Sequence, residues 1–330
     1  MSSARCSFSG FCGDPSVDRA LFWLAALALI VCATYLLWGL GGANWRFVLG
    51  LRSVKLAGLV VVGTAIAVAT VLFQTVSGNR ILTPSIMGFD ALYVLMQTAL
   101  VASLGITAHA QLPSSLSFAV EVAVLVAAGL LLFGTLLRRG AQDMMRMILT
   151  GVIFGILFRS LSSFLARILD PNAYSVVQAE SFASFSRVEA GLLPLGAGLC
   201  LAAAGTALAL APRLDVLALG RRTAVPLGLA YDRLSLAVLT LVAVLVAVST
   251  ALVGPVGFFG LIVAALAHSL TTSARHRALL PAAALVAIVL LVGGQTLLER
   301  VLGMGATLSI VVEFAGGLFF LWLLMRGRVK

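Results

Sequence analysis

Residues 234–253 read LSLAVLTLVAVLVAVSTALV, twenty residues without one charged side chain. A helix needs roughly 20 mostly apolar residues to cross the hydrocarbon core of a bilayer. Residues 54–76, VKLAGLVVVGTAIAVATVLFQTV, repeat the pattern with Lys55 as the one charge. Working outward, runs of this kind cover 20–40, 54–76, 91–108, 116–137, 147–166, 190–211, 234–253, 255–271, 279–298 and 307–325. The chain is 61% hydrophobic and 10% charged, where a soluble domain carries about 25% charged residues. Lipid cannot hydrogen-bond exposed amides, so spanning segments are helices or a closed barrel. Barrel strands would be short and alternating, and these runs are long and uniformly apolar. The expectation is an all-α polytopic membrane protein of about ten transmembrane helices. Residues 1–18 form a flexible N-terminus and 19–330 a single transmembrane domain.

The net charge of +10 does not point to nucleic acid, because the basic residues sit between the apolar runs, where orientation signals sit. Ten spans put both termini on one side. With that side as the cytoplasm, the inner segments hold 15 Arg and Lys and the outer ones 6, with Arg159 inside a span. The positive-inside rule favours that orientation. Cys6, Cys12, Cys32 and Cys200 have no metal-ligand spacing. There is no G-x-x-x-x-G-K-[ST] phosphate loop and no H-E-x-x-H helix, and His109, His268 and His276 are scattered. The chain therefore reads as neither an ATPase nor a membrane hydrolase, with no metal or cofactor of its own.

Three connections break the apolar pattern. Ser77–Asp90, SGNRILTPSIMGFD, is a polar link carrying Pro84 and Gly88. Gly254–His268, GPVGFFGLIVAALAH, opens an apolar run with Pro255 and three glycines. It is either a broken, re-entrant span or a helix that starts at proline. Pro84/Gly88-Phe89 and Pro255/Gly257-Phe258 are five spans apart, the spacing of an inverted repeat. Between Ala211 and Arg233 lies the longest and most basic inner loop, containing LDVLALGRRTAVPLGL at 214–229. Two short helices ended by Gly220 and Gly228 would make a compact knob for a cytoplasmic partner. An ordinary loop with glycine caps accounts for the same residues.

These segments together resemble the FecCD family, the permease subunits of bacterial ABC importers for ferric siderophores, haem and cobalamin. The family's L-x-L-G-x-x-x-A-x-x-L-G is matched by Leu217, Leu219, Gly220, Ala224, Leu227 and Gly228. Its G-P-I-x-F-V-G-L-x-V is matched by Gly254, Pro255, Val256, Phe258, Phe259, Gly260, Leu261 and Val263, and its G-N-P-L-A-x-P-x-x-L-G by Gly78, Asn79, Leu82, Pro84 and Gly88. The chain departs where His268 stands for an arginine and where Gly316-Gly317-Leu318-Phe319-Phe320 lacks the family's proline. The NRILTPSIMGFD wording is similar to a siderophore subgroup, often of the catecholate type.

The resemblance implies a type II importer permease in the bacterial inner membrane, paired with a second permease subunit, identical or related. Two separate ABC ATPase subunits, carrying ATP and Mg, would dock on a coupling loop at about 212–233 through Leu217, Leu219, Gly220, Ala224, Leu227 and Gly228. A periplasmic or lipid-anchored binding protein would dock at Arg52, Lys55 and Arg300. Arg52 and Lys55 are equally readable as side chains that snorkel to the interface. Arg159 and Glu313 lie inside apolar runs, where a charge is costly and points to function. Arg159, Ser160, Ser162 and Ser163 with Glu313 are expected to line a path for an anionic chelate, or Arg159 and Glu313 to pair with each other or with backbone carbonyls. The alternatives are a haem or cobalamin permease, or an ion-coupled secondary transporter without an ATPase.

Overall fold

The computed structural model describes residues 15–40, 44–138, 144–271, 273–303 and 308–325. Most of the expected N-terminal segment 1–18 lies outside them, and α1 begins inside it, at Pro15–Leu37. Next come α2 (Trp45–Ser77), a short 3-10 turn at Pro84–Met87, α3 (Phe89–Gln111), α4 (Ser114–Arg138), α5 (Met144–Ala166) and α6 (Pro171–Glu180). The chain continues with α7 (Leu193–Ala209), α8 (Ala211–Leu217), α9 (Arg221–Ala224), α10 (Tyr231–Val253), α11 (Phe259–Leu270), α12 (His276–Thr296) and α13 (Leu308–Met325). Among the described residues every regular element is helical.

All ten apolar runs fall on helices, but they are not ten equal spans. Among the described residues, seven helices are long and apolar enough to cross a membrane. An eighth span arises if α7 and α8, bent by 63° at Leu210, are taken together. The run at 255–271 yields only the twelve residues of α11, after an extended stretch from Gly254. At 1.5 Å per residue α11 is ~18 Å long, short of the ~30 Å hydrocarbon core. The second run is longer than expected: α2 has 33 residues and takes in Arg52, which lies outside the apolar run at 54–76. The external segment 170–189 contains α6, whose Asp170 side chain accepts from the amides of Asn172 and Ala173. That is an N-cap followed by proline at the first helical position.

The core is built on α2, which packs most extensively against α10 and α12. Leu59, Val62, Leu72 and Phe73 of α2, Val238, Leu239 and Leu245 of α10, and Ala283, Ala287 and Leu291 of α12 are all buried. In lipid, helices gain little from burying apolar surface against each other, so close approach through small residues carries the packing. A Cβ on Gly63 of α2 would stand 3.1 Å from Leu291, and one on Gly196 of α7 only 2.8 Å from Leu252. The turn at Pro84–Met87 rides on α5 in the same way. Gly88, at φ +90°, sits so close that a Cβ would meet Gly155 Cα at 2.9 Å.

Candidate functional site

Three places collect the side chains singled out by the sequence. The first is the inner loop. α8 buries Leu214 and Leu217, and α9 buries Ala224, so one side of the loop is rooted in the bundle. Gly220 (φ +81°) and Gly228 (φ +83°) turn the chain after α8 and α9, in a region of φ that L side chains rarely adopt. The turn after α9 is closed by Gly228 N–H donating to Val225 O and Leu229 N–H donating to Ala224 O. An ion pair between Arg221 and Asp232 ties the loop to the start of α10. The opposite side carries Leu219 at 58% exposed and Leu227 at 63%, with Val225 beside them. The six matched residues thus divide by role in the fold. Leu217 and Ala224 anchor, Gly220 and Gly228 turn, and Leu219 and Leu227 protrude.

The second place is where α1, α2 and α12 end together. Arg52, Lys55 and Arg300 lie there, and the charges of Arg52 and Lys55 are engaged within the chain. Arg52 is 8% exposed, and its guanidinium Nη1 donates to Leu36 O and Trp38 O, both at 2.9 Å. It therefore satisfies carbonyls at the C-terminal end of α1, where a cation is favoured. Lys55 pairs with Glu299 and donates to Ser186 Oγ at 3.0 Å. Gln295 Nε2 donates to the same Glu299 carboxylate at 2.7 Å. Arg300 is half-buried, and its Nε has no hydrogen-bond partner among the described residues.

The third place is a cavity of about 430 Å³ between α3, α5, α13 and the stretch leading into α11. Arg159, Ser163 and Glu313 line it, as do Asp90, Ser162, Ser181, Gly257 and Phe258. Ser160 does not. It is rotated about 100° around α5 from Arg159, whereas Ser162 and Ser163 come back to the same side. Ser162 is buried, and its Oγ lies 2.9 Å from Thr98 Oγ1. Among the described residues no Arg159–Glu313 ion pair is formed. A Cβ on Gly257 would stand 3.9 Å from Asp90 Oδ2 and 4.0 Å from Glu313 Oε1, so the glycine separates two carboxyl groups.

Asp90 was not singled out from the sequence, although it closes the polar link 77–90. It also lines a smaller polar pocket with Thr70, Thr83, Pro84, Thr250, Val256 and Gly257. The two proline breaks therefore meet in space, one from each half of the chain. Broken helices that meet inside the bundle are the usual location of transporter sites. Among the described residues no group of three His, Cys, Asp or Glu side chains is placed to hold a metal ion.

Comparison with known proteins agrees with this architecture. The chain is similar to the petrobactin import system permease protein YclO of Bacillus subtilis (strain 168), 39% identical over 92% of this chain and 96% of the relative. It is 31% identical to the petrobactin import system permease protein FatC of Bacillus anthracis, over 84% of this chain and 78% of the relative. A solved metal-chelate type ABC transporter in an inward-facing conformation superposes with a TM-score of 0.78 at 24% identity, covering 94% of this chain and 99% of that one. At that identity the likeness establishes the shared fold. The sequence pattern of the FecCD transport family matches residues 20–326, and the chain belongs to that family.

Proposed function

We propose that this chain is the transmembrane permease subunit of an ATP-driven importer that carries ferric siderophores across the bacterial inner membrane. The observation that carries the reading is the inner loop: a rooted, glycine-turned knob with two leucines held out of the bundle. Exposed leucines on a tightly built, basic loop need an apolar partner surface, and in this family that partner is an ABC ATPase. An ion-coupled carrier has no use for such a loop. The siderophore substrate rests on the two petrobactin permeases among the relatives.

On this reading the ten apolar runs make ten membrane-embedded segments of a type II importer permease, with both termini in the cytoplasm. The chain pairs with a second permease subunit. Two ATPase subunits holding ATP and Mg grip Leu219 and Leu227, and a periplasmic or lipid-anchored binding protein delivers the chelate. Lys55 and Arg300 face that protein, with Arg52 fixing the helix ends that present them. The chelate passes the cavity at Arg159, Ser163 and Glu313. Arg159 offers one guanidinium to an anionic chelate, while Asp90 and Glu313 weaken its hold. A conduit must bind weakly enough to release.

The test is to delete the gene and measure uptake of radiolabelled iron on a panel of siderophores, with and without a restored copy. Loss for one chelate class, recovered by the copy, is expected. Intact uptake of every chelate, in a strain without a second importer, refutes the substrate assignment.

A further inference from the structure

His276 opens α12 and is 3% exposed, yet it carries three polar contacts to two other elements. Its backbone N–H donates to Asp215 Oδ1 at 2.8 Å, and its ring Nδ1 lies 2.7 Å from the same oxygen. Its Nε2 lies 2.7 Å from Thr75 Oγ1. Asp215 sits in the middle of α8, and Thr75 in the last turn of α2. One carboxylate oxygen thus caps the start of α12 and fixes the orientation of the imidazole, whose far side reaches α2. α12 has no cap from its own sequence, since Arg275 at the N-cap makes no side-chain bond. The carboxylate from α8 supplies it, where a negative group is favoured by the helix dipole.

α8 is bonded in this way to α12, and through His276 of α12 to α2. α2 packs on both α10 and α12, and its Thr70 lines the polar pocket at the two proline breaks. We propose that Asp215, His276 and Thr75 form a strut that transmits displacement of the inner loop to α2 and α12. They are positioning residues for the coupling of ATP hydrolysis to transport. Apolar contacts of Leu214 and Leu217 hold α8 against the bundle, but such contacts can slide. Three directed bonds, two at the buried ring and one at its backbone N–H, fix distance and orientation together.

The inference rests on the permease reading, and the experiment separates the two. The complex of this chain with its ATPase subunits and binding protein is reconstituted in liposomes. Chelate uptake and ATP hydrolysis are measured in the same vesicles. If wild type shows no ATP-driven uptake, the permease reading falls and the strut falls with it. If wild type transports, Asp215→Ala and His276→Ala are expected to keep ATPase association and hydrolysis. Their transport per ATP drops about tenfold, the scale of a lost charge-assisted hydrogen bond. Asp215→Asn, which keeps an acceptor for both His276 N–H groups, stays within about twofold of wild type. Should the alanine variants fail to insert, Thr75→Val decides. It keeps the side-chain shape, removes the Nε2 contact together with the hydroxyl's bond to Val71 O inside α2, and is expected to lower the ratio about threefold. A wild-type ratio in the alanine variants, or in Thr75→Val where those do not insert, overturns the strut.

Discussion

Truncating Leu219 and Leu227 to alanine tests the inner loop as an ATPase-docking surface. Burying a leucine fully is worth ~1.5–3 kcal/mol relative to leaving it exposed. Leu219 is 58% and Leu227 63% exposed, so each has about three-fifths of its surface left to bury, or ~1–2 kcal/mol on that scale. The pair together holds ~2–4 kcal/mol, which is about 30- to 700-fold in a dissociation constant. Ordering costs and the retained Cβ favour the low end. The assay immobilises the permease in nanodiscs and measures binding of its cognate ATPase subunit. Leu208→Ala, a leucine 43% exposed on α7, is the control for an equal loss of apolar surface elsewhere. Thermal stability should not change, because neither leucine belongs to the core. An affinity within twofold of wild type, with normal transport, would refute the assignment of this surface.

Four further outcomes are expected. Gly220→Ala and Gly228→Ala force side chains into positive φ at ~1–3 kcal/mol each. The tryptophan versions add bulk at the surface. All should insert normally, while ATPase pull-down weakens and transport stops in the tryptophan pair; normal transport in both ends the idea. Arg159→Ala at normal protein level should lower chelate uptake, and unchanged uptake removes Arg159 from the path. At Gly316 a Cβ would collide with the Cβ of Phe258, whereas at Gly317 it would meet nothing within 4 Å. Gly316→Val should therefore cost ~1–3 kcal/mol and lower the melting temperature in detergent, with Gly317→Val silent; equal effects would contradict the packing of α13 on α11. Arg52→Ala should destabilise by ~1.5–3 kcal/mol, because it orphans two carbonyls. Arg46→Ala, on an exposed arginine over the Trp45 ring, should cost under ~1 kcal/mol. Thermal unfolding of the two, side by side, decides whether Arg52 is structural.

What could be read from the sequence was whatever is encoded locally. An apolar run of twenty residues declares a membrane helix wherever it occurs, and every such run falls on helix. A glycine forced to positive φ declares a turn, so Gly220 and Gly228 were placed correctly before any packing was known. The rotation that drops Ser160 from the cavity and keeps Ser162 and Ser163 is also readable, since 100° per residue is fixed by helix geometry. Length was less secure. Arg52 looks like a loop residue and Lys55 like the very edge of a span, because a charge in an apolar helix is expensive. In the fold α2 runs through both, because the end of α1 and Glu299 of a distant segment satisfy them. α11 errs the other way, since composition alone does not say where an extended stretch takes over from helix.

The sites were hidden for a different reason. Asp90 lies more than a hundred residues from both Gly257 and Glu313, yet two carboxyl groups face each other across one glycine. The three histidines look scattered along the chain. In space, His276 is the meeting point of three elements, its ring bonded to a carboxylate 61 residues earlier and a hydroxyl 201 residues earlier. A motif survives in sequence when its parts must be neighbours to work, as in a turn or a cap. A strut or a conduit works by joining parts of the fold that move separately, so its residues are distant in the chain by the nature of the task. The recognisable loop at 214–229 is one end of such a device, and its other end can be found only by following the hydrogen bonds inward from Asp215.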